Sequence, residues 1–322
     1  MTGTSCMRIF VYEYLSGGGP MPDEAVAAEL LPLGLTMRDA MAADLLASGD
    51  CAVTVASSVR VRSGEPIGAA IAMPRAGEAA TDFVARQTAL HDAAWIVAPE
   101  TGGLLAQMAR LVGPARWLGC SEAAITLCTG KGATLRHLAA HEVPTPLPFA
   151  QDPAVRRWVV KPDDGAGCVA TRLHHSRGRA LDEAAAAGQP MTVEPWVDGE
   201  PLSVSLLCTG AGTEVLSINR QRIGQRADGL LSFDGLVLNA IAPGSAEGLA
   251  IARLAAQVGR AIPGLRGFAG IDVVLHPQRG PVLIEVNPRV TVAYAGMSAA
   301  LGRNLAAEIV ADKLRAPQEA IA

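Results

Sequence analysis

Residues 281–294 read PVLIEVNPRVTVAY, an apolar run typical of a buried strand that nonetheless carries a carboxylate, Glu285, and two residues later a carboxamide, Asn287. Residues two apart on a strand point to the same face. Both polar groups therefore stand on one side of a segment otherwise built from Val, Leu and Ile. Upstream, GIDVVLH (270–276) carries Asp272, and HPQRG (276–280) between the two runs is an obvious turn. The pair of runs predicts a hairpin with Asp272 on one strand and Glu285 and Asn287 on its neighbour. Two carboxylates and a carboxamide oxygen are hard donors, suited to Mg2+ shared with phosphates rather than to zinc. Buried without a cation, such carboxylates would cost several kcal/mol. The bland alternative is a solvated polar row along one side of the hairpin.

Segments upstream weigh against that alternative. Of 27 basic residues only Lys131, Lys161 and Lys313 are lysines, so a compact ammonium is kept at few places. Lys161 ends the strand-like RRWVVK (156–161) and is followed by PDDGAGC (162–168). A lysine beside a Gly-rich turn can neutralise phosphates while backbone N–H groups cradle them. Lys131 lies at the start of a predicted helix, with Thr129 and Gly130 as its beginning and a Pro-rich exit as its end. Then comes VEPWVDGE (193–200), in which Glu194 and Glu200 flank a short apolar strand end.

Composition sets the outer limits. The chain has 322 residues, half of them hydrophobic and 18% charged, which predicts a globular protein of two or three domains. A net charge of −4 gives no reason to expect a nucleic-acid partner, and no apolar run is long enough to predict a membrane span. Cys6, Cys51, Cys120, Cys128, Cys168 and Cys208 form no CxxC pair, which argues against zinc or a disulfide framework and fits a reducing cytoplasm. His137 and His141 share a helix face but no HExxH surrounds them. Residues 1–6 read as a short leader, with Met7 an equal candidate for the start.

Toward the N-terminus, strands at 8–15, 51–57, 67–73 and 93–99 alternate with helices at 23–47, 77–91 and near 100–112. That alternation predicts a parallel, doubly wound sheet, with ligands outside the carboxyl ends of its strands. SGGGP (16–20) and PETGG (99–103) fall there, and the first could offer backbone amides to an anion or be merely a turn. From residue 157 successive strands dominate, followed by helices at 245–261 and 302–315; the EAAAAG patch at 183–188 is the one low-complexity segment.

The ordered set of Lys131, Lys161 with its Gly-rich loop, Glu194-Pro-Trp-Val197 with Glu200, Asp272, and Glu285-Val-Asn287-Pro-Arg289 resembles the ATP-grasp superfamily. The resemblance covers roughly residues 115–315, and the preceding sheet is similar to that family's N-terminal domain. It implies an α/β ATP-grasp fold: a Rossmann-like domain over 1–114, a central subdomain with a lid over 115–195, and a C-terminal subdomain over 196–322, the last two holding ATP between them. Lys131 and Lys161 would contact the nucleotide, with Gly165 and Gly167 of the loop closing over its phosphates. Glu194, Trp196 and the backbone at Val197 would hold adenine, and Glu200 the ribose. Asp272, Glu285 and Asn287 would bind two Mg2+ ions, for which Mn2+ can substitute, with Glu285 bridging. Arg289, with Lys161 and Arg220, would act in catalysis, Arg289 stabilising the transferring phosphoryl group. Members of the superfamily join a carboxylate to an amine through an acyl phosphate.

RIFVYEYLSGGG (8–19), WIVAPETGG (95–103), NRQRI (219–223) and NPRVTVAY (287–294) resemble the tyramine–glutamate ligase group of methanofuran biosynthesis. That implies glutamate transfer to tyramine or a related amine in one-carbon cofactor synthesis. The acyl and amine substrates are expected between Gly17, Gly18 and Gly19 and the strand carrying Arg289, with Asn219 and Arg220 as further phosphate or substrate contacts. A ligase adding glutamate to a pterin, a D-alanine–D-alanine-like dipeptide ligase and a non-catalytic nucleotide-binding module are the alternatives. The partners expected are small molecules, with neither nucleic acid nor membrane, and a homodimer is left open. Two features depart from the pattern. The compact spacing at Asp198–Ser203 puts the ribose role of Glu200 in doubt, and with three Tyr and five Phe an aromatic pocket has few sources. Tyr12, Tyr14 and Tyr294 are its candidates, although a place in the core suits them better.

Overall fold

The strand expected at the N-terminus forms as β1 (Met7–Glu13), and its side chains divide between two apolar faces. Ile9 and Val11 pack against Met41 and Leu45 of α1 (Glu24–Ala47), while Phe10 and Tyr12 meet Phe83 and Leu105 on the other side. A strand covered on both faces belongs in a parallel sheet with helices on each side. The sheet is completed by β2 (Cys51–Ala56), β3 (Ala70–Ala72) and β4 (Ala93–Val97), in the order β3-β2-β1-β4 with every pairing parallel. Phe83 and Leu105 come from α2 (Ala80–Thr88) and α3 (Leu104–Val112). Asp23 starts α1 by accepting the N–H groups of Ala25 and Val26.

The computed structural model describes residues 6–21, 23–61, 64–165 and 168–315. Most of the expected leader, residues 1–5, and Gly167 of the Gly-rich loop lie outside the described residues. Two helices, α4 (Glu122–Thr129) and α5 (Lys131–Ala140), stand where the sequence predicted one; Ser121 caps the first through the N–H of Ala124. The central unit is an antiparallel sheet of β5 (Trp158–Pro162), β6 (Arg172–His174) and β7 (Met191–Pro195), in the order β6-β5-β7, with α6 (Arg177–Ala186) against it. The patch read as low complexity forms the end of α6, which Ser176 caps.

The last unit contains β8 (Glu200–Thr209), β9 (Gly212–Gln225), β10 (Leu231–Val237), α7 (Ala246–Ala261), β11 (Gly267–His276), β12 (Gly280–Asn287), α8 (Met297–Leu301) and α9 (Leu305–Arg315). Its antiparallel sheet runs β10-β9-β8-β11-β12. β10 was not predicted, because Ser232, Asp234 and Gly235 interrupt its apolar pattern. At the β7-to-β8 turn Gly199 has φ +150°, and a Cβ there would lie 2.4 Å from the carbonyl oxygen of Leu275, so glycine lets the turn pass close to β11. Among the described residues no helix is long and apolar enough to cross a membrane.

The predicted hairpin is β11–β12. Asp272 pairs directly with Glu285, and Gly270 with Asn287. Next to that pair the register shifts: Asp272 faces Glu285 but Val273 faces Leu283, leaving Ile284 as an extra residue. A bulge of this kind re-aims side chains. Leu283 and Val286 lie in the main core, whereas Val282 and Ile284 pack with Phe149 and Val197 on the opposite face. The consecutive Ile284 and Glu285 consequently both line the same cavity.

Candidate functional site

That cavity, of about 630 Å3, is walled by the β6-β5-β7 sheet on one side and the β11–β12 hairpin on the other. Its apolar end is formed by Val159, Ile223 and Leu231 facing Val274 and Ile284, with Trp196 and Val197 between. Its polar end gathers Lys131, Lys161, Glu194, Asp272 and Glu285 with Gly165 of the Gly-rich loop. A flat apolar group and a polyanion could lie end to end in such a space.

The two lysines divide two of the carboxylates. Lys161 and Glu194 stand on one face of the β5–β7 pair, where Val159 is opposite Glu194 and Lys161 opposite Thr192. Their side chains meet at 2.7 Å and are only 6% and 4% exposed. Burial lowers the pKa of Lys161, but the charges of Glu194 and Glu285 outweigh it and the net direction is upward. Lys131 Nζ lies 3.1 Å from Glu285 Oε1 and donates to the Gly165 carbonyl at 2.6 Å.

Asp272 has no lysine partner. Instead Gln221 Nε2 donates to its Oδ1 at 2.9 Å and Asn287 Nδ2 to its Oδ2 at 3.2 Å. Burial first, and the charge of Glu285 second, push the Asp272 carboxyl up to about 7. Gln221 escaped the sequence reading, although it lies beside Arg220 in NRQRI and two strand positions from Asn219 on the same face. The signal was the two-residue period, which places Asn219 and Gln221 together. Cys168, also on the cavity wall, has its thiol pushed up to about 11 by burial and then by Asp272 and Glu285, which keeps it protonated.

Arg289 is held from the N-terminal unit. Its Nε donates to Glu100 Oε1 at 2.9 Å, and both side chains are mostly buried. The same PETGG turn meets the Gly-rich loop, because the N–H of Gly102 donates to Asp164 Oδ2 at 2.8 Å. Glu100 and Asp164 thus have contacts that the sequence did not single out.

Three expectations need correction. The N–H groups of Gly17, Gly18 and Gly19 donate to the carbonyls of Glu13, Leu15 and Tyr14, so this turn has no free amide for an anion. Asn219 is fully buried, accepting from the Asn239 N–H and donating to Ser217 Oγ, and does not reach the cavity. Glu200 and Arg220 pair with each other, and neither lines the cavity. Tyr12 and Tyr294 are core residues, the reading the sequence favoured, and Tyr14 donates to the Pro20 carbonyl at 2.9 Å beside Gly19. His137 and His141 bond to backbone carbonyls. Among the described residues no three His, Cys, Asp or Glu side chains form a metal cluster, so any cation here would rely on two carboxylates and Asn287.

Comparison with known proteins bears on the family and the fold. The family model of the ATP-grasp domain matches residues 128–293, and that of the pre ATP-grasp 3 domain matches residues 51–125. No curated protein matches the sequence. Among solved structures, an Archaeoglobus fulgidus protein described as an ATP-grasp superfamily member is 20% identical, with a TM-score of 0.72 over 95% of this chain and 88% of its own. L-amino acid ligase from Bacillus licheniformis is 18% identical, with a TM-score of 0.68 over 96% of this chain and 74% of its own. D-alanine–D-alanine ligase from Bacillus anthracis, complexed with ATP, is 15% identical, with a TM-score of 0.64 over 96% and 98%. Since the first family match spans more than half of the sequence and contains both lysines, the hairpin and Arg289, the chain belongs to the ATP-grasp family.

Proposed function

We propose that the chain is an ATP-dependent ligase that joins a carboxylate to an amine, with glutamate as the acyl donor and tyramine or a related amine as the acceptor in methanofuran-type cofactor synthesis. The observation that carries the ligase reading is the direct pairing of Asp272 with Glu285, beside Asn287, in a cavity that also holds Lys131 and Lys161. The apolar end suits adenine, between Val159 and Ile284, with Glu194 and the Val197 backbone at its edge. The polar end suits the triphosphate.

The donor set fits Mg2+. Asp272 and Glu285 are hard oxygen ligands; burial first and the charge of Glu285 second raise the Asp272 pKa, a cost that a divalent cation relieves. Asn287 engages Asp272 through its nitrogen, which leaves its carbonyl oxygen for a cation. Bound there, the cation would offset charge on the phosphates. A substrate carboxylate oxygen would then attack the γ-phosphorus as the bond to the β-phosphate oxygen breaks, giving an acyl phosphate and ADP. The amine nitrogen attacks the acyl carbon, phosphate leaves, and the nitrogen loses a proton. Arg289, fixed by Glu100, supplies a planar cation for the transferring group. Lys161 contributes a second positive charge at the polar end.

The glutamate and tyramine assignments rest on resemblance at 8–19, 95–103, 219–223 and 287–294. The neighbours named as L-amino acid and D-alanine–D-alanine ligases favour dipeptide formation as the second reading. One assay separates them: ADP release with glutamate plus a panel of amines, set against pairs of amino acids. ADP with phosphate, dependent on glutamate and tyramine, is the expected outcome. Release that needs two amino acids selects the second reading, and AMP with pyrophosphate rejects acyl-phosphate chemistry.

A further inference from the structure

We propose that Lys131 is the resident counter-ion of Glu285 in the nucleotide-free chain, and that its departure toward a nucleotide's phosphates opens Glu285 to a divalent cation. The idea rests on the assignment of Asp272, Glu285 and Asn287 as metal ligands. Lys131 Nζ is 3.1 Å from Glu285 Oε1, so the ammonium fills a position that a cation ligated by that oxygen would need. Two cations at one carboxylate oxygen in a mostly buried site repel strongly.

The other polar groups of the site do not share this role. Lys161 is matched to Glu194 at 2.7 Å, although the charges of Glu285 and Asp272 also reach it. Asp272 is met by the amides of Gln221 and Asn287. Below Lys131 the backbone is anchored, since its N–H donates to the Asp163 carbonyl at 2.9 Å and that of Gly132 to Asp163 Oδ1 at 2.9 Å. What can turn is the flexible four-carbon side chain. A phosphate offers its ammonium several charged oxygens in place of one. Moving to them would free Glu285 and the Gly165 carbonyl together. Metal binding then becomes conditional on nucleotide, with no change of fold.

Mn2+ alone is the probe, followed in the full chain without nucleotide by the paramagnetic resonance of the free ion. Lys131→Met keeps the length of the side chain and removes its charge. We expect it to bind Mn2+ about tenfold more tightly than wild type while binding ADP more weakly. A lysine that serves only as a phosphate ligand would give the second effect without the first. Lys131→Gln is the parallel variant should Lys131→Met differ from wild type in circular dichroism, and Lys131→Arg, which retains the charge, should bind Mn2+ like wild type. Unchanged or weaker Mn2+ binding by the folded, uncharged variants overturns the proposal. Glu285→Gln distinguishes the two ideas. If Mn2+ binding with a non-hydrolysable ATP analogue survives that substitution, the metal assignment falls and this proposal with it. If it is lost while Lys131→Met changes nothing, only the counter-ion role falls.

Discussion

Removing the charge of Lys161 should destabilise the fold before it affects any chemistry. Lys161 Nζ and Glu194 Oε1 meet at 2.7 Å with side chains 6% and 4% exposed, and Glu194 Oε2 has no hydrogen-bond partner among the described residues. At an effective dielectric constant of about 20 the Coulomb attraction at that separation is about 6 kcal/mol, much of it offset by the desolvation of both ions. Breaking such a pair leaves a buried charge without compensation, which costs about 3–5 kcal/mol. Lys161→Met and Glu194→Gln should each lose that much in urea unfolding, followed by the fluorescence of Trp158 and Trp196. The double variant should return to within about 1 kcal/mol of wild type, because neither charge remains. Nucleotide affinity should not return with it, since the phosphates still lack their lysine. The upward shift of Lys161 places its contribution fully below the unfolded pKa of about 10.4, to be lost only above it, so measurements at pH 7 and pH 9 should agree. Single variants as stable as wild type, or a double variant whose loss equals the sum of the two, would refute the pairing as the source of stability.

Glu285→Gln should lower turnover at least about a hundredfold with an unchanged circular dichroism spectrum, since it removes charge but not shape; wild-type turnover would dismiss its metal role. Arg289→Lys should reduce kcat more than the KM for ATP, because an ammonium cannot reproduce the planar guanidinium, and steady-state kinetics on both constants would reveal any equal effect. Asp164→Ala should speed release of a fluorescent nucleotide in stopped-flow measurements, as the bond from Gly102 to the loop is lost. An unaltered release rate would mean that this contact does not restrain the loop. Gly19→Ala would place a Cβ 2.4 Å from the Tyr14 ring and should lower the melting temperature without a specific effect on the KM for ATP.

The hairpin was legible because two rules with no long-range component determine it: alternation along a strand, and a turn between two apolar runs. The parallel sheet followed equally from strands alternating with helices. The bulge at Ile284 was not legible, because the extra residue shows only when the partner strand is paired. Gly17–Gly19 misled for a related reason. Glycine composition reveals conformational freedom, but whether the freed amides face a ligand or their own turn depends on carbonyls that the turn itself brings near. Asn219 likewise lies on the cavity-facing parity of β9, yet Asn239 arrives from beyond β10 to cover it. Glu100 was hidden because its meaning depends on Arg289, distant in sequence and supplied by another unit.

The bulge in β12 also bears on how this site can diversify. Ile284, the extra residue, and Glu285, the first residue paired beyond it, both line the cavity although they are consecutive in the strand. A substitution that reshapes the apolar end therefore need not be transmitted along the strand to the ionic end. Base preference and phosphate chemistry become separable traits, open to independent drift and selection within eight residues of one strand.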